Sequence, residues 1–253
     1  MRFMRAEAPA IAVTDLTKTY KKITAVDGIS FAVPRGSIVG LLGGNGAGKT
    51  TTIAIIMGLV LPTRGTATVL GADMARERHR VLHRINFESP YVEMPKRLTV
   101  RQNLKVFGAL YNVQNLKARI AELASELDLS EFLDRQSGQL SAGQKTRVAL
   151  AKALVNNPDV LLLDEPTASL DPDTADWVRS RLERYRKERR ATILLASHNM
   201  PEVERLCDDV IMMKTGKIVD RGAPADLLAR YGRQNMEEVF LDVARDRRRE
   251  AAE

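Results

Sequence analysis

Apolar residues in this chain come in two rhythms. In the first, several run together and stop at a glycine or a polar residue: "SIVGLL" before Gly43, "VLLL" before Asp164, "ATILLAS" before His198. Short runs with an abrupt polar end read as parallel strands buried on both faces. In the second, apolar positions recur every three or four residues, as in "TVRQNLKVFGALYN", "LKARIAELASELDL", "SAGQKTRVALAKALVNN" and "TADWVRSRLERYRKERR". That is the period of amphipathic helices. The opening segments "AIAVTDLTKTY" and "GISFAVPRGSIVGLL" are rich in Val, Ile and Thr between Gly and Pro, and predict strands. After Lys49 the pattern predicts a helix closed near Gly58, and "LPTRGTATVLGAD" predicts a short strand between two turns. From about Arg76 to Asn156 the helical period dominates, broken by a strand at "RINF". "MPEVERLC" reads as helix, "DVIMMKTGKIVDRG" as a hairpin turning at 214–217, and the last thirty or so residues as helix. Alternating strands and helices predict an α/β fold, with an antiparallel β part at the start and a block of helices inserted at 88–154. The main domain is then 8–87 with 155–225, and 226–253 is a short helical tail.

Composition narrows the class. The chain has 253 residues, 44% of them hydrophobic, enough for a sizeable core. Its longest apolar run, 53–61, is less than half the ~20 residues that span a bilayer. The N-terminus has no apolar stretch of signal-peptide type, so none is expected. The single cysteine, Cys207, excludes an internal disulfide framework and is expected to be a small buried apolar residue in a reducing compartment. Residues 76–119 hold ten Lys/Arg against three acids, so this one stretch carries the whole net charge of +7. Such a segment is either a face for an anionic partner or a solvated helix surface. Its aromatics, Phe87, Tyr91, Phe107 and Tyr111, do not interleave with the cations, which argues against nucleic acid.

The chemistry concentrates at "GGNGAGKTT". Gly43 to Thr50 fits G-x-x-x-x-G-K-[ST], with a predicted strand before it and a helix after it, the context this motif requires. Glycines permit backbone angles that turn successive N–H groups inward. The backbone of Gly43, Gly44, Asn45, Gly46, Ala47 and Gly48, running into Lys49, Thr50 and Thr51, thus makes an anion cradle on a helix N-terminus. Lys49 suits the β- and γ-phosphates of a nucleotide, and the Thr50 hydroxyl suits Mg²⁺. Further on, the apolar run 160–163 delivers Asp164 to the metal and Glu165 beside the γ-phosphate. An ionised carboxylate only accepts hydrogen bonds, so Glu165 suits the polarisation of an attacking water. A third segment, "LSAGQ" at 140–144, opens a helix with Ser141 as N-cap and presents free N–H groups, a second phosphate-binding helix end.

With these three segments in this order, the chain from about Ile11 to Gly222 resembles the ATP-binding subunits of ABC transporters, P-loop NTPases with a RecA-like core. The resemblance implies ATP and Mg²⁺ as cofactors and two subunits, identical or different, closing head to tail around two ATP molecules. Ser141, Gly143 and Gln144 would then contact the γ-phosphate held by the partner's cradle. It also implies an interface loop at "ASLD" ending in Asp171, a γ-phosphate-sensing His198 in "LASHN", and Tyr20 as the aromatic that stacks on adenine. Further implications are a separate transmembrane permease subunit as partner, a peripheral place on the cytoplasmic face of the inner membrane, no nucleic-acid partner and, from the ending "MEEVFLDVARD" and the short tail, an exporter of the drug, lipid or polysaccharide branch. The alternative is a soluble ABC ATPase acting on ribosomes or nucleic acid. The sequence departs from the family's pattern in three places. Gly44 stands where proline is common, and Ala142 where glycine is common. The loop after "RINF" lacks the glutamine that touches Mg²⁺ and relays to the membrane partner, leaving Glu88, Ser89 or Pro90 at that place.

Overall fold

The computed structural model describes residues 8–89, 93–168 and 170–245. Three strands open the chain: β1 (Ile11–Tyr20), β2 (Ile23–Val33) and β3 (Ile38–Leu42). Helix α1 (Lys49–Ile56) and strands β4 (Arg64–Val69), β5 (Ala72–Asp73) and β6 (Ile85–Glu88) follow. Then come α2 (Val100–Leu110), α3 (Leu116–Glu126) and α4 (Ala142–Leu154), followed by β7 (Val160–Asp164), α5 (Pro172–Arg189), β8 (Thr192–Ala196) and α6 (Met200–Leu206). The hairpin of β9 (Asp209–Lys214) and β10 (Lys217–Gly222) leads into α7 (Pro224–Tyr231) and α8 (Met236–Ala244).

Two sheets form. One is antiparallel, in the order β2-β1-β4-β5. The other runs β10-β9-β3-β8-β7-β6 and is parallel except for the edge strand β10. Every residue of β3, β7 and β8 is buried, as expected of strands covered on both faces. Side chains alternate between those faces. Ile38, Leu42, Leu161, Leu163, Ile193 and Leu195 join the core of the helices α2 to α6. Val39, Leu41, Val160, Leu162, Leu194 and Ala196 join α1 and the antiparallel sheet. Because β3, β8, β7 and β6 are parallel, their C-terminal ends lie on one edge. Ligands of open α/β sheets bind at that edge.

The structure corrects two expectations. Helical periodicity from Arg76 onward does not make helices there: 78–80 and 82–84 are single 3₁₀ turns, and the first long helix of this part starts at Val100. Nor is the basic stretch one free cationic face. Arg84 pairs with Asp159 at 2.6 Å and Arg101 grips Asp134 with two bonds of 2.7 and 2.8 Å, both acids lying outside the stretch. Arg119 is buried and donates to the backbone carbonyls of Leu154 and Val155, so it belongs to the core of the helical block. A charge tally cannot see partners that only the fold brings close.

Candidate active site

The cradle follows β3 directly. Gly43 is enclosed: a Cβ there would meet the Met213 carbonyl oxygen at 2.5 Å and the Ala47 Cβ at 2.7 Å. Gly48 has φ +102°, and its Cβ would meet the Ala25 oxygen at 2.5 Å. Gly44 differs, with nothing within 4 Å of a Cβ, so a side chain fits there. Gly43→Ala is therefore expected to weaken ATP binding ~10-fold or more, an overpacking cost of at least ~1.4 kcal/mol. Gly44→Ala should stay within ~2-fold, as an exposed change does. Calorimetric titration with ATP measures both. No side chain caps α1 at Gly48, and its first turn carries no acid, so its N–H groups face the loop uncompensated. Lys49 Nζ donates to the carbonyl oxygens of Gly43 at 2.5 Å and Gly44 at 3.4 Å. The cation is held over the loop it serves.

Two strands away, β7 ends in Asp164, which is buried. The Thr50 hydroxyl donates to Asp164 Oδ2 at 3.4 Å, joining the two residues predicted to hold a metal. Burial and the neighbouring Glu165 push the Asp164 carboxyl above its ordinary range, against Lys49 and Thr50, which lower it. A carboxylate destabilised in this way gains from a divalent cation. Among the described residues no group of three or more His, Cys, Asp and Glu side chains could hold a metal unaided. One hydroxyl and one carboxylate fit Mg²⁺, which takes one or two protein oxygens and completes its shell with phosphate and water.

Glu165 follows in a left-handed backbone conformation, φ +57°, a strained state that costs ~1–3 kcal/mol. Its N–H donates to the Ala196 carbonyl at 2.8 Å, locking the end of β7 to β8. The next loop brings His198 to the same carboxylate. Nδ1 lies 2.7 Å from Oε1, and the backbone N–H donates to Oε2 at 3.2 Å. The imidazole itself is exposed. The sequence reading missed what stands beneath this pair. Ser197 Oγ donates to Oε2 of the fully buried Glu202 at 2.6 Å and accepts the Asn199 N–H at 3.0 Å. Asn199 caps α6, with Glu202 three residues on, a helix-start pattern that was visible in "NMPE". Burial raises the Glu202 carboxyl.

The remaining predicted residues fall into three places. Ser141 and Gln144 form a capping box at the start of α4: the Gln144 N–H donates to Ser141 Oγ at 3.3 Å and the Ser141 N–H to Gln144 Oε1 at 3.1 Å. The N–H groups of Ala142 and Gly143 have no intrahelical acceptor, by helix geometry. Asp171 caps α5 through the Thr174 N–H at 3.0 Å, and that bond holds its carboxyl below the ordinary range. Tyr20 is exposed at the end of β1, with Lys18 Nζ 4.8 Å from its ring centre. Glu88, one candidate for the missing glutamine, is the last residue of β6. It sits beside Leu163, with its side chain among the helices, on the face opposite Asp164. There it lies 2.6 Å from Lys152. Ser89 is buried next along the chain. Pro90 lies outside the described residues.

Along the sheet's outermost strand, β6, opens a groove of about 540 Å3, lined by Leu59, Leu82, Asn86, Phe87, Leu110 and Tyr111. Leu59 and Leu110 are 72% and 75% exposed, a degree that a monomer's surface seldom gives to leucines in one patch.

A family model described as ABC transporter matches residues 26–168. The chain is 35% identical over 238 residues to the ABC transporter ATP-binding protein NatA of Bacillus subtilis, covering 91% of this chain and 96% of that protein. It is 39% identical over 222 residues to Nod factor export ATP-binding protein I of Paraburkholderia xenovorans, covering 87% and 73%. A solved ATP-binding subunit of an ABC transporter superposes with a TM-score of 0.84 at 26% identity, over 93% of this chain and 99% of that one. A dimeric ATP-binding cassette in a post-hydrolysis state, bound to ADP and Pi, superposes with a TM-score of 0.76 at 25% identity, over 84% and 98%. A cradle, a metal-side carboxylate and a strained glutamate on one sheet edge, in a chain so matched, leave one conclusion: this chain belongs to the ABC transporter family of ATP-binding subunits, ATPases that couple hydrolysis to transport.

Proposed function

We propose that the chain drives export through a separate membrane subunit, acting as a head-to-tail pair on the cytoplasmic face of the membrane. The observation that carries this reading is the largely apolar groove left open along β6, in a chain that also carries the cradle, Asp164 and Glu165. No helix among the described residues is long and apolar enough to cross a membrane, and in this reading a separate membrane protein forms the path. The groove offers that protein a seat, and its exposed leucines suit a short amphipathic helix better than a phosphate backbone. Export is favoured by the likeness to Nod factor export proteins.

In this reading the phosphates of ATP replace the carbonyls of Gly43 and Gly44 as partners of Lys49. Thr50 and Asp164 would hold Mg²⁺, which when bound neutralises charge on the β- and γ-phosphates. Glu165, released from His198, accepts a proton from the attacking water, and His198 turns its imidazole to the γ-phosphate. Ser141 and the open N–H groups of Ala142 and Gly143 close the site from a second copy. Tyr20 stacks on adenine.

Membrane vesicles test the seat. The purified chain should bind inverted vesicles of its source organism saturably, and right-side-out vesicles not at all. Leu59→Asp with Leu110→Asp should lower the affinity ~10-fold or more, since each leucine buries about 1.5–3 kcal/mol on full enclosure. Equal binding to both kinds of vesicle, or by the variant, contradicts the seat. Direction is read from cells carrying Lys49→Ala: exported compounds should stay inside the cells and be missing from the medium.

A further inference from the structure

Two arginines lie over the chain's single tryptophan. Trp177, on α5, has the guanidinium carbon of Arg147 4.2 Å from its ring centre and that of Arg181 at 5.2 Å. Arg181 stands one turn further along α5, whereas Arg147 comes from α4. Asp128, in the turn after α3, lies 2.5 Å from Arg147 and 3.7 Å from Arg181. Arg147 also donates to the Leu127 carbonyl at 3.5 Å. The cluster therefore ties α5 to α4 and to the turn that follows α3.

Packing does not account for the choice of residue. The indole Nε1 is buried without a hydrogen-bond partner among the described residues, a cost that phenylalanine or leucine would not carry. Tryptophan is instead the best of the aromatic rings at holding a cation over its face. Nor does apolar packing complete this seam. A cavity of about 90 Å3 lies between α4, β7 and α5, lined in part by Thr146, Leu150, Leu163, Val178 and Leu182. The place of the cluster gives it a role. Arg147 and Trp177 each stand six residues beyond the cap of their helix, Ser141 and Asp171, roughly 9 Å at 1.5 Å per residue. The first turns of the two helices run close together, since a Cβ on Gly143 would meet Thr174 Oγ1 at 3.5 Å.

We propose that Trp177 is a positioning residue: with Arg147, Arg181 and Asp128 it clasps α4 to α5 and holds the Ser141 end of α4 at a fixed place beside Asp171. Ser141 then meets the nucleotide of a second copy already oriented, so less order has to be gained on pairing. The clasp acts on the affinity of one copy for another, not on the binding of ATP to a single subunit. The inference rests on the reading that Ser141 closes the site of a second copy, and its test separates the two.

The experiment measures the pairing affinity of the full chain, by sedimentation across protein concentration with Mg²⁺ and a non-hydrolysable ATP analogue. Trp177→Leu keeps an apolar side chain and removes the ring face. It should weaken pairing ~5-fold or more, the order of a half-buried cation–π contact, while binding of the analogue to the single subunit stays within ~2-fold. Trp177→Phe keeps a ring face and should pair within ~2-fold of wild type. Packing alone would treat the two substitutions alike. Arg147→Met removes the cation from the other helix and should weaken pairing ~5-fold as well, and it carries the test if Trp177→Leu fails to fold. Combined with Trp177→Leu it should cost no more than either change alone, because both remove the same contact. Wild-type pairing by a folded Trp177→Leu or by Arg147→Met overturns the clasp and leaves the head-to-tail reading standing. Equal losses in Trp177→Leu and Trp177→Phe, or additive losses in the double variant, do the same. A wild-type chain that binds the analogue and never pairs overturns that reading, and the clasp with it.

Discussion

Glu165→Gln is expected to lower ATP turnover by ~10²–10⁴-fold, the usual worth of a general base. The substitution keeps the shape of the side chain and removes its charge. The amide oxygen can still accept the His198 backbone N–H, a bond of 3.2 Å in the native chain, so the loop after β8 keeps its anchor. The strained φ of +57° is equally open to Gln, so no new backbone cost arises. Thr50, Asp164 and the cradle are untouched, and ATP affinity should remain. A phosphate-release assay beside an ATP titration measures both quantities. Near-normal turnover would remove Glu165 from the chemistry and leave its strain without a function.

Lys49→Ala and Ser141→Arg are expected to fail at different steps. Loss of Lys49 removes a charge-assisted contact to phosphate worth ~1.5–3 kcal/mol, so ATP binding to the single subunit should weaken ~10- to 100-fold. Ser141 lies at the exposed start of α4 and only caps that helix within its own chain. Ser141→Arg should therefore leave monomer binding within ~2-fold while abolishing turnover, because bulk and charge enter the closing interface. A mixture of the two variants can build one intact half-site, from Lys49 of one chain and Ser141 of the other. It should recover turnover that neither shows alone. If Ser141→Arg abolished monomer binding of ATP, the head-to-tail picture would be wrong.

The legible parts of this protein share one property: they are written locally. The continuous apolar runs became the buried strands β3, β7 and β8. The glycines and Lys49 announced the cradle, and Ser141 announced the N-cap of α4, to which the structure adds Gln144 as the other half of a capping box. What stayed hidden depends on residues distant in sequence. Glu88 faces the helices because β6 pairs with β7 in a register that sets Glu88 beside Leu163. Shifting that register by one residue would have pointed it toward Asp164. The cations at Arg84 and Arg101 look free in a tally, since Asp159 and Asp134 arrive through the fold. The helical period at 76–84 was overridden because the segment is too short to nucleate a helix and turns at once into β6. Glu202, fully buried beneath the loop of His198, lies in "MPEVERLC", which by itself announced only a helix.

The central claim is that two copies of this chain enclose ATP between the cradle of one and the Ser141 end of the other. Sedimentation velocity of Glu165→Gln, with and without Mg-ATP, tests it most directly. The account predicts a monomer without nucleotide and a dimer with Mg-ATP, and no dimer once Ser141→Arg is added. A chain that binds ATP and still sediments as a monomer would contradict it, as would a dimer indifferent to nucleotide.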